Sequence, residues 1–237
     1  MKILVSVASA AEAQAARDGG ADLIDAKDPF TGALGAVSLE TLLEIHRSVG
    51  GSRPVTAALG DAADQDAVEH AAFEFAAGGT AFVKIGFASI RSATRAAALT
   101  TAAVRGARTG SADTCGVVAV AYADTGGVTS LTPSALIDVA SRAGAVGVLL
   151  DTSDKDGLGL RSLVPSRELA SWVARAHGAG LVVALAGKLS ADDLSWVRDC
   201  GADIAGVRGA ACDGGRTGRV TAEKVRQLSA RLAVVRI

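Results

Sequence analysis

The sequence predicts a single (β/α)8 barrel over residues 1–237, and three observations carry that expectation. Eight short apolar runs recur along the chain, separated by segments with helical periodicity. A Gly-Ala-Asp turn precedes more than one run, as in Gly20-Ala21-Asp22 and Gly201-Ala202-Asp203. The length, 237 residues, is close to the roughly 250 typical of such barrels.

The runs span 3–7, 23–27, 55–59, 82–86, 117–123, 146–151, 181–186 and 204–208. They are rich in Val, Ile, Leu and Ala with little polar alternation, as suits parallel strands covered on the outside by helices. Leu39, Leu42, Leu43 and Ile45 mark one amphipathic segment, and Val68, Ala72, Phe75 and Ala76 another. Leu136, Val139 and Ala140 mark a third, and Leu169, Trp172, Val173 and Ala176 a fourth. Ser38, Thr132 before Pro133, and Ser190 are read as helix N-caps. The glycines at 20, 79, 144 and 201 are read as helix C-caps turning into strands. An open doubly wound sheet would carry a glycine-rich fingerprint after its first strand, whereas Val7-Ala8-Ser9-Ala10 stands there. The Gly/Arg-rich segment 212–219 then reads as a βα loop, not a linker.

Composition excludes several function classes. The net charge is −1 with no basic run, and aromatic residues are only 3%, which together argue against a nucleic-acid partner. No apolar stretch reaches the roughly 20 residues of a membrane span, and the N-terminus lacks the apolar region of a signal peptide. Cys115, Cys200 and Cys212 are odd in number and lack CxxC spacing, so a reducing cytoplasm is expected and neither disulfides nor a cysteine zinc site. His46, His70 and His177 fall within predicted helices, away from the strand ends, so no histidine metal site or base is expected. A homo-oligomer is left open.

Arg outnumbers Lys 18 to 6, so each lysine merits inspection, because Arg cannot replace an amine that must lose its proton and attack a carbonyl. Four of the six lie at strand ends, which in a barrel form the functional mouth: Lys27, Lys84, Lys155 and Lys188. Asp25, Asp124 and Asp151 stand at the same rim, Asp124 as a candidate substrate-binding residue. Residues two apart share a face of a strand, so Asp25 and Lys27 point together into the barrel, with Lys84. Burial and a neighbouring cation lower a lysine pKa, which makes it a nucleophile toward an aldehyde or ketone. The bland alternative is a buried ion pair that merely fills the barrel, but three lysines and several aspartates at one mouth favour a site. The loops after strands 7 and 8 hold Gly187-Lys188 and Arg208-Gly209-Ala210, where many barrels bind phosphate. A small phosphorylated aldehyde handled by Schiff-base chemistry is therefore expected. No metal is, since lysines already supply the positive charge.

The ordered motifs Asp25-Ala26-Lys27-Asp28-Pro29, Gly32-Ala33-Leu34-Gly35-Ala36, Phe82-Val83-Lys84-Ile85-Gly86, Tyr122-Ala123-Asp124, Asp151-Thr152, Lys155-Asp156-Gly157, Leu185-Ala186-Gly187 and Gly206-Val207-Arg208-Gly209-Ala210-Ala211-Cys212 resemble the (5-formylfuran-3-yl)methyl phosphate synthases, also called 4-(hydroxymethyl)-2-furancarboxaldehyde-phosphate synthases. The resemblance covers nearly the whole chain. It implies a barrel that joins two molecules of glyceraldehyde 3-phosphate, with loss of water and one phosphate, into a phosphorylated furan aldehyde for methanofuran-type one-carbon carriers. It implies no cofactor, Lys27 as the Schiff-base lysine, Lys84 as the proton acceptor, and Asp25, Asp151 and Lys155 in support. Lys155, Lys188 and Arg208 would offset the substrate charges. The chain departs from the family pattern at Lys188, often Ser there, and at Phe30-Thr31, where more polar residues are usual.

Two other readings make nearly the same demands on the sequence. A class I aldolase also needs an inward lysine, a second base and a phosphate site. A non-catalytic carrier of a phosphorylated aldehyde such as pyridoxal phosphate would need Lys27 alone.

Overall fold

The eight apolar runs form parallel strands that close on themselves in the order β1 to β8, β1 pairing with both β2 and β8. The computed structural model describes residues 1–233. The strands are β1 Lys2–Val7, β2 Leu23–Ala26, β3 Val55–Asp61, β4 Phe82–Gly86, β5 Gly116–Tyr122, β6 Gly147–Asp151, β7 Val182–Leu185 and β8 Ile204–Val207. The helices α1 Ala10–Asp18, α2 Leu39–Val49, α3 Gln65–Ala77, α4 Ala93–Ser111, α5 Pro133–Arg142, α6 Leu160–Leu163, α7 Ser166–Gly178, α8 Asp193–Asp199 and α9 Ala222–Ala233 alternate with them. The short α6 is additional to the eight expected helices. The 212–219 segment is more ordered than a loop: β9 Cys212–Asp213 pairs antiparallel with β10 Arg219–Val220 after a 3-10 turn, Gly209–Ala211. Among the described residues no helix is long and apolar enough to cross a membrane.

The turn chemistry follows the sequence closely. Gly20, Gly79, Gly144 and Gly201 all take φ between 79° and 92°, a region that favours glycine because it has no Cβ. Ser38 accepts from Thr41 N and Thr132 from Ala135 N, as N-caps. Ser190 does not cap a helix. Its N–H and hydroxyl both donate to Asp193 Oδ2, at 2.9 and 2.7 Å, and α8 starts two residues later than expected.

Two apolar layers hold the barrel. Outward residues such as Val5, Ile24, Val83, Ile85 and Val183 pack under the helices. Inside, Ala58, Val120, Tyr122 and Leu149 pack with Leu34, which drops in from the loop after β2. This filling is lopsided. Large side chains occupy the β5–β6 side, whereas Ala184, Ala186 and Gly206 leave the β7–β8 side open. Lys27, Lys84, Lys155 and Lys188 line the same vacancy.

Outside the barrel, α4 lies against α3 without a side-chain spacer. A Cβ on Gly106 would collide with the Glu69 carbonyl oxygen, and one on Gly110 with that of Phe73. Gly178 of α7 has open space around it. Helix propensity alone favours Ala at all three by about 1 kcal/mol. Overpacking costs about 1–3 kcal/mol. Gly106→Ala is thus expected to lower, and Gly178→Ala to raise, the urea midpoint of unfolding. Stabilisation by both would show that the α3–α4 contact is loose.

Candidate active site

The inward residues at the mouth line a cavity of about 520 Å3. The alternation read from the strands is observed: Asp25, Lys27 and Lys84 face this cavity, while Ile24, Ala26, Val83 and Ile85 face the helices. β2 ends at Ala26 and β8 at Val207, each one residue short of the expected run, so Lys27 and Arg208 sit just past their strands. The Lys27 N–H still donates to Val7 O, which keeps the side chain on the inward register.

Four groups in the cavity form two closed pairs. Lys84 Nζ contacts Asp25 Oδ1. Asp25 is fully buried and also accepts from Thr56 Oγ1 at 2.7 Å and Ser6 Oγ at 2.9 Å. Ser6, Asp25 and Thr56 are register partners on three adjacent strands, so the bonds follow from the strand alignment. Lys155 Nζ donates to Asp151 Oδ1 at 2.7 Å and to Thr152 O. Burial pushes the Asp151 carboxyl up, but Lys155, Lys27 and the Thr152 N–H outweigh it and hold the group below the usual carboxylate range.

Lys27 is the exception. It is 9% exposed, and its amine has no hydrogen bond or ion pair among the described residues. Burial is the main cause that lowers its pKa from 10.5 to about 8. Lys84 and Lys155 repel its proton, and Asp151 and Asp25 hold it more weakly than burial expels it. Each carboxylate is already committed to another lysine, which is why two aspartates do not restore an ordinary amine.

The rim departs from the sequence reading at two positions. Asp124, expected to bind substrate, lies off the cavity wall and accepts from Ser153 N at 2.8 Å and Asp154 N at 2.7 Å, propping the loop that carries Lys155. Arg208, expected to meet phosphate, is buried and paired with Glu12 of α1 at 2.9 Å. It lines the wall, but its donors are taken by Glu12 and by carbonyls, so charge and geometry commit it to the fold. Gly187, Lys188, Gly209 and Ala210 do line the cavity. Gly187 has φ 103° and Lys188 φ 54°, and Lys188 Nζ donates to Asp156 O and Gly157 O.

Ser6, Thr56 and Glu12 were not singled out by sequence, Leu34 stood only within a motif, and Arg216, like Arg219, was open between a ligand of the second phosphate and a solvated loop residue. Ser6 and Thr56 had a signal, as polar residues at inward strand positions. Glu12 was a lone carboxylate in an alanine-rich first turn. Leu34 and Arg216 act from loops, whose paths no periodicity reveals. Cys212 is buried at the start of β9. His46, His70 and His177 lie on α2, α3 and α7. Among the described residues no three of His, Cys, Asp and Glu gather as a metal-ligand set.

The chain has named relatives along nearly its whole length. The 4-HFC-P synthase family model matches residues 3–229. The (5-formylfuran-3-yl)methyl phosphate synthase of Methanopyrus kandleri is 39% identical over 235 residues, covering 98% of this chain and 99% of the relative. That of Methanosarcina barkeri is 35% identical over 231 residues, covering 97% and 98%. Among solved structures, KGPDC from Streptococcus mutans superposes with a TM-score of 0.70 at 16% identity, covering 100% and 99%, a likeness of fold alone. With named synthases matched from end to end, this enzyme belongs to the 4-HFC-P synthase family.

Proposed function

We propose that this enzyme condenses two molecules of glyceraldehyde 3-phosphate into (5-formylfuran-3-yl)methyl phosphate through a Schiff base on Lys27. The observation that carries the reading is the unpaired, desolvated Lys27 amine between two lysine–carboxylate pairs. At pH 7 roughly one Lys27 in ten is neutral, against about one in three thousand for an ordinary lysine. The neutral amine attacks an aldehyde carbon and forms a carbinolamine. The Lys155 ammonium can donate a proton to the departing hydroxyl, and Asp151, ionised and beside Lys27, balances the iminium charge. The iminium acidifies the neighbouring C–H. Lys84 takes that proton after passing its own to Asp25 across the ion pair, so that the pair acts as the base. The resulting enamine carbon attacks the second aldehyde, loss of water and phosphate leads to an aromatic ring, and hydrolysis of the imine frees the aldehyde and restores the Lys27 amine. The amide-rich turns at Gly187-Lys188 and Gly209-Ala210 are placed where barrels commonly hold phosphate. The enzyme's own groups supply every proton transfer in this scheme, so it requires no cofactor.

A reversible aldolase uses the same first steps, and the family assignment favours the furan product. Mixing the enzyme with glyceraldehyde 3-phosphate alone is expected to release phosphate and a near-ultraviolet chromophore. Borohydride added during turnover should attach the reduced triose at Lys27. An active enzyme left unmodified at Lys27 overturns the mechanism.

The rate kcat/KM should rise with pH and level off above about 8, where Lys27 becomes neutral. Asp151 raises the Lys27 pKa, so Asp151→Asn should move that limb to lower pH while reducing the plateau, because the iminium loses its counterion. A limb shifted upward would contradict this placement of charge.

The same amine weakens the fold. Its folded pKa lies below its unfolded one, so the cost is complete below about pH 8 and gone above about 10.5. A gap of that size corresponds to roughly 3 kcal/mol. Lys27→Met should therefore abolish activity and raise Tm at pH 7, with the gain shrinking toward pH 10. Equal Tm differences at both pH values would show that Lys27 is solvated.

A further inference from the structure

Two arginines reach the cavity wall, and their hydrogen bonding differs in kind. Arg208 has five N–H donors. Its Nε donates to Arg216 O at 2.7 Å, Nη1 to Ser6 O and Glu12 Oε2 at 2.9 Å each, and Nη2 to Glu12 Oε1 at 3.3 Å and Gly218 O at 3.2 Å. No donor is left over, and Glu12 neutralises the charge. Arg216 has only neutral partners: Nη1 donates to Pro29 O and Nη2 to Gly32 O at 2.7 Å. Its Nε–H and one N–H on each terminal nitrogen have no acceptor, and no carboxylate lies within ion-pair distance, among the described residues.

A partly buried guanidinium without a counter-ion is costly to a fold, and burial already pulls the pKa of Arg216 down. The free donors form a fork of the kind that takes a phosphate in bidentate fashion. The position is also fixed from behind. Arg208 holds the backbone oxygens of Arg216 and Gly218, and Glu12 holds Val220 N, so the β9–β10 ribbon cannot drift.

We propose that Arg216 is the guanidinium that binds a phosphate group of the substrate, and that Arg208, which the sequence suggested for that task, is the positioning residue that aims it. This rests on the sugar-phosphate reading of the site. Arg216 would keep its carbonyl contacts to the Lys27 loop while its free edge takes the anion, so phosphate binding and the setting of that loop share one side chain.

The test uses inorganic phosphate as the probe, by calorimetry, with the parent, Arg216→Gln and Arg216→Lys. Loss of a charged hydrogen-bonding pair should weaken phosphate binding at least about tenfold in Arg216→Gln, and Arg216→Lys should recover part of it. In parallel, unphosphorylated glyceraldehyde is trapped on Lys27 with borohydride. Trapping in Arg216→Gln at the parent rate separates a phosphate ligand from a clip that sets Lys27. Undiminished phosphate affinity, or a trapping loss as large as the affinity loss, overturns the proposal. Absence of trapping in the parent strikes the Schiff-base mechanism instead, and the calorimetry still decides Arg216.

Discussion

The site depends on one constraint: a lysine amine is withheld from water and also from any carboxylate free to claim it. Burial alone is a blunt device, because a nearby aspartate ordinarily restores the charge. Here Asp25 is committed to Lys84, Ser6 and Thr56, and Asp151 Oδ1 to Lys155 and Thr152. Both carboxylates remain near Lys27, yet their bonds go elsewhere, and the amine is left without a bonded partner among the described residues.

Around that constraint the barrel assigns separate tasks to its two halves. The β5–β6 side is packed by Val120, Tyr122 and Leu149 and gives rigidity. The β7–β8 side is lined by Ala184, Ala186 and Gly206 and gives volume. Loops then refine the mouth. Leu34 covers the interior beside Lys27, Asp124 braces the loop of Lys155, and the Arg208–Glu12 pair anchors the β9–β10 ribbon. Asp124 acts through backbone amides, and the charge of Arg208 is matched by Glu12.

What was legible in the sequence followed from strand periodicity. Because the side-chain period of a strand is fixed, Asp25, Lys27 and Lys84 could be aimed inward from spacing alone, and their gathering at one end followed from the barrel. The helix-terminal glycines were readable for the same local reason. Arg208 and Asp124 were located at the rim, but their bonds could not be read, since position does not disclose which partner has already taken a side chain. Glu12 lies 196 positions from Arg208, and its partnership is set by how α1 packs against β1 and β10. Arg216 depended on the course of a turn, which has no period. Ser190 looked like a cap because its residue type is right, yet Asp193 drew its N–H and hydroxyl instead.

The emptiness of the β7–β8 half carries a consequence for how such a barrel changes over time. Ala184, Ala186 and Gly206 carry no titratable atom, yet they set the volume of the cup. A descendant that retained every lysine and aspartate but acquired bulkier aliphatics at those three places would fold around a plugged cup. On the proposed mechanism, selection would then act on missing methyl groups as firmly as on the amines.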